Sequence, residues 1–73
     1  MNGIEFNEQR RAVAAYRKAR KAGKTFELAY DSAVDAYCRG LNVPKSVRAQ
    51  VDVGVLIAHA QRKYGRWVDG RDA

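Results

Sequence analysis

The sequence predicts an all-α protein that folds as a compact three-helix bundle. Three segments rich in helix-forming residues carry apolar side chains at helical spacing, and glycines and a proline separate them. The joints between these segments are short, which favours neighbouring helices packed against one another. We expect one domain and a C-terminal tail, with these bounds: helices at about residues 5–22, 26–39 and 44–64, a domain over residues 1–65 and a tail over residues 66–73.

The first predicted helix has two different faces. Its central stretch reads RRAVAAYRKARK, and Gly23 supplies a stop. At about 100° per residue, most of its basic side chains gather on roughly a third of the circumference. Alanines, together with Phe6, Val13 and Tyr16, occupy the packing side. The pattern predicts an outward basic surface made by Arg10, Arg11, Arg17, Lys18 and Lys21.

The second predicted helix begins after Thr25, whose hydroxyl can cap it, and ends at Gly40, where a left-handed residue is wanted. An aromatic ridge at helical spacing predicts core packing, and it consists of Phe26, Tyr30, Ala33 and Tyr37. A second face is acidic, with Glu27, Asp31 and Asp35 four residues apart. This acidic strip can either pair with the basic side of the first helix or stand in water.

The third predicted helix is apolar over most of its circumference, so we expect it to be central. Pro44 fits its first turn, where a missing amide hydrogen has no partner to lose. Gly54 in the middle indicates close approach of a neighbouring helix. The excess apolar surface leaves a homodimer as an alternative use. The tail, which includes Trp67 and Val68, either trails in solvent or folds back.

Bulk properties narrow the class of protein. A chain of 73 residues has a small core, and its single cysteine, Cys38, forms no internal disulfide, so a cytoplasmic setting is expected. No stretch is long and apolar enough for a membrane span, and no signal peptide is visible. The net charge of +6 favours polyanionic or acidic partners.

The residue types that catalysis needs do not occur at useful spacing. His59 is the only histidine, and a metal site would have to recruit carboxylates from several helices. Asp31 and Asp35 fit a solvated face better than an acid and base pair. The glycines form no phosphate-binding loop. We therefore expect no enzyme, no metal and no cofactor.

Residues 36–51, AYCRGLNVPKSVRAQV, resemble the helix-turn-helix family of DNA-binding proteins. Ala36 and Gly40 match the small residue and the turn glycine of that motif, although the turn is one residue longer than usual. The resemblance implies that the third helix reads base edges from its first turns. The residues available for this role near the start of that helix are Lys45, Ser46, Arg48 and Gln50.

The chain as a whole resembles the small basic proteins that bacteriophages make to take over host machinery, among them an antitermination protein that binds bacterial RNA polymerase. The resemblance lies in general character: a short chain, the stretch RRAVAAYRKARK, no catalytic groups, one cysteine and one tryptophan. It implies a protein attached to a large complex near nucleic acid, and it carries over no residue role.

Our leading interpretation is a small regulatory protein that binds host transcription machinery, with RNA polymerase as the expected partner and its basic helix near nucleic acid. A helix-turn-helix DNA-binding regulator is the alternative. Aromatic and arginine side chains near the chain ends, including Phe6 and Tyr64, can anchor a protein partner. The expected binding residues are Arg10, Arg11, Arg17, Lys18, Arg20, Lys21, Arg48, Arg62, Arg66 and Trp67.

Overall fold

Residues 3–71 form three α-helices and a short 3-10 helix, which confirms the predicted all-α three-helix bundle. The computed structural model describes residues 3–71, and side chains within residues 9–71; Phe6, assigned to packing and anchoring from the sequence, lies outside the described side chains. No strand occurs in residues 3–71. The elements are α1 (Gly3–Lys21), α2 (Phe26–Leu41), α3 (Val47–Tyr64) and a C-terminal 3-10 helix (Gly65–Asp69).

The joint between α1 and α2 follows the sequence prediction closely. Gly23 takes a left-handed φ of 89°, and the amides of Gly23 and Lys24 donate to the carbonyls of Arg20 and Ala19 at 3.0 and 3.1 Å. These bonds satisfy carbonyls that the end of a helix leaves unpaired. The Thr25 hydroxyl then accepts the amide of Leu28 at 3.3 Å, so the predicted cap of α2 is confirmed.

The joint between α2 and α3 differs from the prediction at both ends. Gly40 was expected to end α2, but the helix continues through it, and Asn42 takes the left-handed conformation with φ 57°. Asparagine tolerates this region better than most residues, so it can replace glycine there. Pro44 lies before α3 rather than in its first turn, because the Ser46 hydroxyl caps the helix by accepting the amide of Ala49 at 3.1 Å.

The core is built largely from alanines, which let the helices approach closely. Among the described side chains, the largest that are fully buried are Tyr16, Val53 and Val68. The most extensive interface joins α1 and α2, so the expectation that α3 is central was wrong. One face of α3 is buried, and an all-round apolar helix in a three-helix bundle necessarily leaves other apolar side chains in water. The buried face of α3 consists of Ala49, Val53, Ile57 and Ala60.

The aromatic ridge of α2 lies at the edge of the core. Ala33 is fully buried and Tyr30 and Tyr37 are partly buried, whereas Phe26 is half exposed and contacts Tyr16 edge to face. The core-facing side of α2 instead consists of Ala29, Ala33, Val34 and Cys38. The expectation that the whole ridge packs in the core was therefore wrong for Phe26.

The close approach predicted at Gly54 is confirmed. The hydroxyl of Tyr30 lies 2.5 Å from the place where a Cβ on Gly54 would stand. The same hydroxyl donates a hydrogen bond to the carbonyl of Gln50. Only a residue without a side chain leaves room for the tyrosine to reach that carbonyl across α3.

The C-terminal segment folds back onto the bundle, which decides between the two alternatives left open for the described part of the tail. Val68 is fully buried. One oxygen of Asp69, Oδ1, accepts hydrogen bonds from the Tyr16 hydroxyl at 3.1 Å and from the Gln61 amide at 2.9 Å. A Cβ on Gly70 would lie 2.5 Å from the backbone nitrogen of Lys21. The segment is thus held against both α1 and α3.

Candidate functional site

The outer face of α1 carries the expected basic surface. Ala12, Tyr16 and Ala19 are buried on the inner side of the helix. On the outer side, all but one of the cations are exposed, and Arg17 is half-buried. We call this surface the basic face, and it consists of Arg10, Arg11, Arg17, Lys18 and Lys21.

Three residues of the basic face also line a groove that includes Trp67, the only tryptophan in the sequence. We call it the tryptophan groove. Trp67 is 46% exposed, so its ring is available to a binding partner even though it is held in place. The groove therefore combines an aromatic surface with three cations, and it is lined by Ala14, Arg17, Lys18, Lys21, Ala22 and Trp67.

Arg17 fixes the position of Trp67 through two contacts. Its Nε donates a hydrogen bond to the Trp67 carbonyl oxygen at 3.0 Å, and its guanidinium carbon lies 4.2 Å from the centre of the ring. Tyr64 contacts the same ring edge to face, with 5.9 Å between ring centres. A cation over an indole face is favourable, so the ring orientation is set by its neighbours before any partner binds.

No protein family, curated protein or solved structure matches the chain. The site is therefore interpreted from its own geometry.

A hydrogen bond from the Tyr16 hydroxyl to the Asp69 carboxylate helps to hold the 3-10 helix against α1. Burial raises the pKa of the Tyr16 hydroxyl above its ordinary value of 10.0, and the bond to the Asp69 carboxylate raises it further. Tyr16 therefore keeps its proton and remains a donor at neutral pH. This bond ties the 3-10 helix that carries Trp67 to the helix that carries the basic face.

The acidic strip of α2 does not neutralise the basic face. Asp35 pairs with Arg39 at 2.5 Å and with Lys45 at 3.2 Å, and neither partner belongs to α1. The hydrogen bond from Lys45, followed by the charge of Arg39, lowers the pKa of the Asp35 carboxyl. Within residues 9–71, Lys18 and Lys21 make no ion pair, so both are available to an anion in the tryptophan groove.

Six of the sequence-predicted binding residues lie outside the groove lining: Arg10 and Arg11 belong to the basic face, and the other four lie elsewhere. Arg20 points toward the bundle, where it is half-buried and donates from Nη1 to the carbonyl of Lys24 at 3.1 Å, so it closes the end of α1. Arg62 and Arg66 are exposed on α3 and the 3-10 helix. Arg48 is in the first turn of α3 and pairs with Asp52 at 3.5 Å.

Little else in the described chain suggests chemistry. Residues 9–71 contain no cluster of three or more histidine, cysteine or carboxylate side chains that could hold a metal ion. Cys38 is buried and its thiol lies 3.7 Å from the carbonyl of Pro44. His59 is exposed on α3. Among the described residues, none of the helices combines the length and apolarity needed to cross a membrane.

The sequence predicted excess apolar surface on the third helix, but it did not show which residues form that surface. Val47, Val51 and Val55 are exposed along one side of α3. We call them the valine stripe. Beside the stripe runs a shallow acidic groove between α2 and α3, lined by Phe26, Glu27, Tyr30, Asp31, Val47, Gln50 and Val51. Helical periodicity located these apolar residues correctly but could not show which face of α3 the bundle would cover.

Proposed function

We propose that this chain is a small non-enzymatic regulatory protein that attaches to transcription machinery and contacts nucleic acid through its basic face and tryptophan groove. The observation that supports this most directly is the lining of the groove. It brings two exposed lysines, Lys18 and Lys21, beside a half-exposed tryptophan that is fixed in orientation. RNA polymerase is the proposed host partner, on the resemblance to small phage regulators.

The groove has the two properties that binding to a nucleic-acid strand requires. Cations on a rigid helix attract the phosphate backbone and release its counterions. A fixed aromatic ring beside them offers a stacking surface for an unpaired base, worth about 1–3 kcal/mol. Arg17 already occupies one side of the Trp67 ring, so the remaining exposed part of the ring is the stacking surface. Neither the phosphate contacts nor the stacking depends on the base sequence of the nucleic acid.

The helix-turn-helix alternative has weaker support from the contacts of α3. Base readout needs polar side chains along the exposed face of the recognition helix. That face carries the valine stripe, and the guanidinium of Arg48 is shared with Asp52. A DNA reader built on this helix would have to break that ion pair and place valines against base edges.

A charge-matched pair of double variants tests the proposal. Lys18→Ala with Lys21→Ala removes two cations from the groove, and Arg39→Ala with Arg48→Ala removes two exposed cations elsewhere, so both proteins have the same net charge. Binding to a fluorescent single-stranded oligonucleotide is measured across a salt series. The first pair should reduce the steepness of log K against log salt by about 1.4, from about 0.7 per phosphate contact, while the second should change it little.

The outcomes separate the candidate functions. Equal effects of the two pairs would show that overall charge, not the groove, drives binding. If the Arg39 and Arg48 pair instead removed a preference for one duplex sequence, the helix-turn-helix alternative would replace the proposal. A pull-down from bacterial lysate with and without nuclease tests the polymerase: retention of the polymerase after nuclease treatment supports a direct protein contact, and its absence from both samples contradicts that part of the proposal.

A further inference from the structure

The valine stripe is a continuous apolar strip along the exposed side of α3. Its residues are four apart, so they lie on one side of α3, and they are 77%, 57% and 62% exposed in chain order. Phe26 extends the apolar surface from α2 across the acidic groove and is 51% exposed. Contiguous exposed apolar surface of this kind marks an interaction site more often than a solvent face.

Opposite charges stand at the two ends of the stripe. Glu27 and Asp31 line the acidic groove beside Val47 and Val51, and neither makes an ion pair with any residue that the structure describes. At the other end, Arg62 follows Val55 by seven residues and therefore lies on the same side of α3. Its side chain is exposed. The surface is therefore acidic at one end, apolar in the middle and basic at the other end.

We propose that a second copy of this chain covers the valine stripe, with the two α3 helices antiparallel about a two-fold axis near Gly54 and Val55. An antiparallel pair centred there sets Val51 of each copy opposite Ala58 of the other. The Gly54 and Val55 positions of the two copies meet in the middle. Gly54 itself is covered by Tyr30 of its own chain, so the contact between copies is made by Val51, Val55 and Ala58. Side chains of this size allow the helix axes to approach to about 8–10 Å.

The same register brings the charged ends together. Val47 and Arg62 are about 22 Å apart along α3, at about 1.5 Å per residue, and they exchange places under the two-fold rotation. Arg62 of one copy therefore stands beside the acidic groove, with Glu27 and Asp31, of the other copy. A two-fold axis generates this contact twice. The surface is therefore self-complementary: its basic end fits the acidic end of a second copy, and the valines of the two copies face each other.

The remaining charge beside the stripe does not oppose pairing. Arg48 lies on its flank but is paired with Asp52 of its own helix at 3.5 Å. The cations of the basic face belong to α1, which contributes no residue to the stripe or to the acidic groove. Repulsion between copies thus comes from distant charges, which physiological salt screens beyond about 8 Å.

The first test is the oligomeric state, measured by sedimentation velocity over a concentration series that reaches the millimolar range. The wild-type protein should form a dimer. Val55→Glu brings two like charges together near the two-fold axis and should weaken the dimer by about 100-fold or more. Leu28→Glu is the matched control, because Leu28 is 54% exposed on α2 and lies outside both surfaces; it should leave the dimer intact.

The second test examines the register by charge reversal. Arg62→Glu should weaken the dimer about ten-fold, since it places carboxylates together at two equivalent contacts. Adding Asp31→Arg to that variant restores opposite charges and should recover most of the affinity. Helix content by circular dichroism shows that each variant remains folded.

Two results would overturn the proposal. A wild-type protein that stays monomeric at millimolar concentration would leave the stripe to a different protein. A dimer that withstands Val55→Glu but not a substitution elsewhere would place the interface on another surface. Asp31→Arg alone should weaken the dimer, so its recovery of affinity only in the Arg62→Glu background indicates a contact between these residues in two copies. That result also separates this proposal from the nucleic-acid function.

Discussion

Replacing Gly70 by alanine is the sharpest test of how the tryptophan groove is built. Gly70 has a left-handed φ of 83°, and a Cβ there would lie 2.5 Å from the backbone nitrogen and 2.7 Å from the Cα of Lys21. Those atoms belong to α1 and cannot move aside. The left-handed conformation alone costs an alanine about 1–2 kcal/mol, and the steric conflict adds about 1–3 kcal/mol. We expect Gly70→Ala to lower the free energy of unfolding by about 2–5 kcal/mol.

Gly23→Ala is the matched control for this substitution. Gly23 has a similar φ of 89°, but nothing lies within 4 Å of the added Cβ. It should cost only the conformational part, about 1–2 kcal/mol. Urea unfolding measures both variants, and Trp67, the only tryptophan, reports the groove directly: acrylamide should quench its fluorescence more strongly in Gly70→Ala alone. Equal stabilities and equal quenching in the two variants would refute the described packing of the C-terminal segment on α1.

Two further predictions concern tyrosines that join helices. Gly54→Ala should destabilise the protein by about 1–3 kcal/mol, because the new Cβ displaces the Tyr30 hydroxyl. In a Tyr30→Phe background the nearest ring atom is 3.6 Å from the new Cβ, which is an ordinary contact distance. Gly54→Ala should therefore stabilise that variant by about 0.5–1 kcal/mol, through the higher helix propensity of alanine. A double-mutant cycle measured by urea unfolding checks this reversal. Tyr16 has a raised pKa, so the folded state holds its proton more tightly than the unfolded state; this contribution is complete below the ordinary value of 10.0 and is lost as pH rises through the higher folded value. Unfolding measured from pH 8 to 11 should therefore show a steeper alkaline loss of stability in the wild type than in Tyr16→Phe, and parallel profiles would contradict it.

The number and order of helices could be predicted because the local signals agree with one another. Gly23 ends α1 and Thr25 caps α2, as the sequence predicts. A left-handed turn and a hydroxyl cap depend only on neighbouring residues, so a local pattern is enough to predict them. The second joint offered competing signals. Gly40 and Asn42 can both end a helix, and Pro44 and Ser46 can both begin one. The structure uses Asn42 and Ser46, a choice that depends on where α3 must start in order to pack.

The same distinction between local and long-range contacts decides which candidate sites could be predicted from the sequence. The basic face could be predicted from periodicity, because it needs only the angle between residues of one helix. The tryptophan groove could not, because Asp69 and Gly70 bring the 3-10 helix to α1 through contacts that span more than 45 residues of sequence. No local pattern marks such contacts. The excess apolar surface of α3 was predicted, but its position at the valine stripe could not be, since apolar residues on every side of a helix do not reveal which side is covered.

The two proposed surfaces use different parts of the molecule, so each can act without the other. The tryptophan groove belongs to α1 and the 3-10 helix, whereas the valine stripe and the acidic groove belong to α3 and α2. Pairing through the stripe leaves Lys18 and Lys21 of both copies exposed, and a dimer then offers two grooves to one nucleic-acid strand. Linking two grooves in this way raises the apparent affinity for a long strand, because the second groove binds intramolecularly at a high effective concentration. The affinity of each groove for a short oligonucleotide stays unchanged. The two proposals together therefore predict that dimerisation favours long nucleic acids over short ones, a preference that a single groove does not provide.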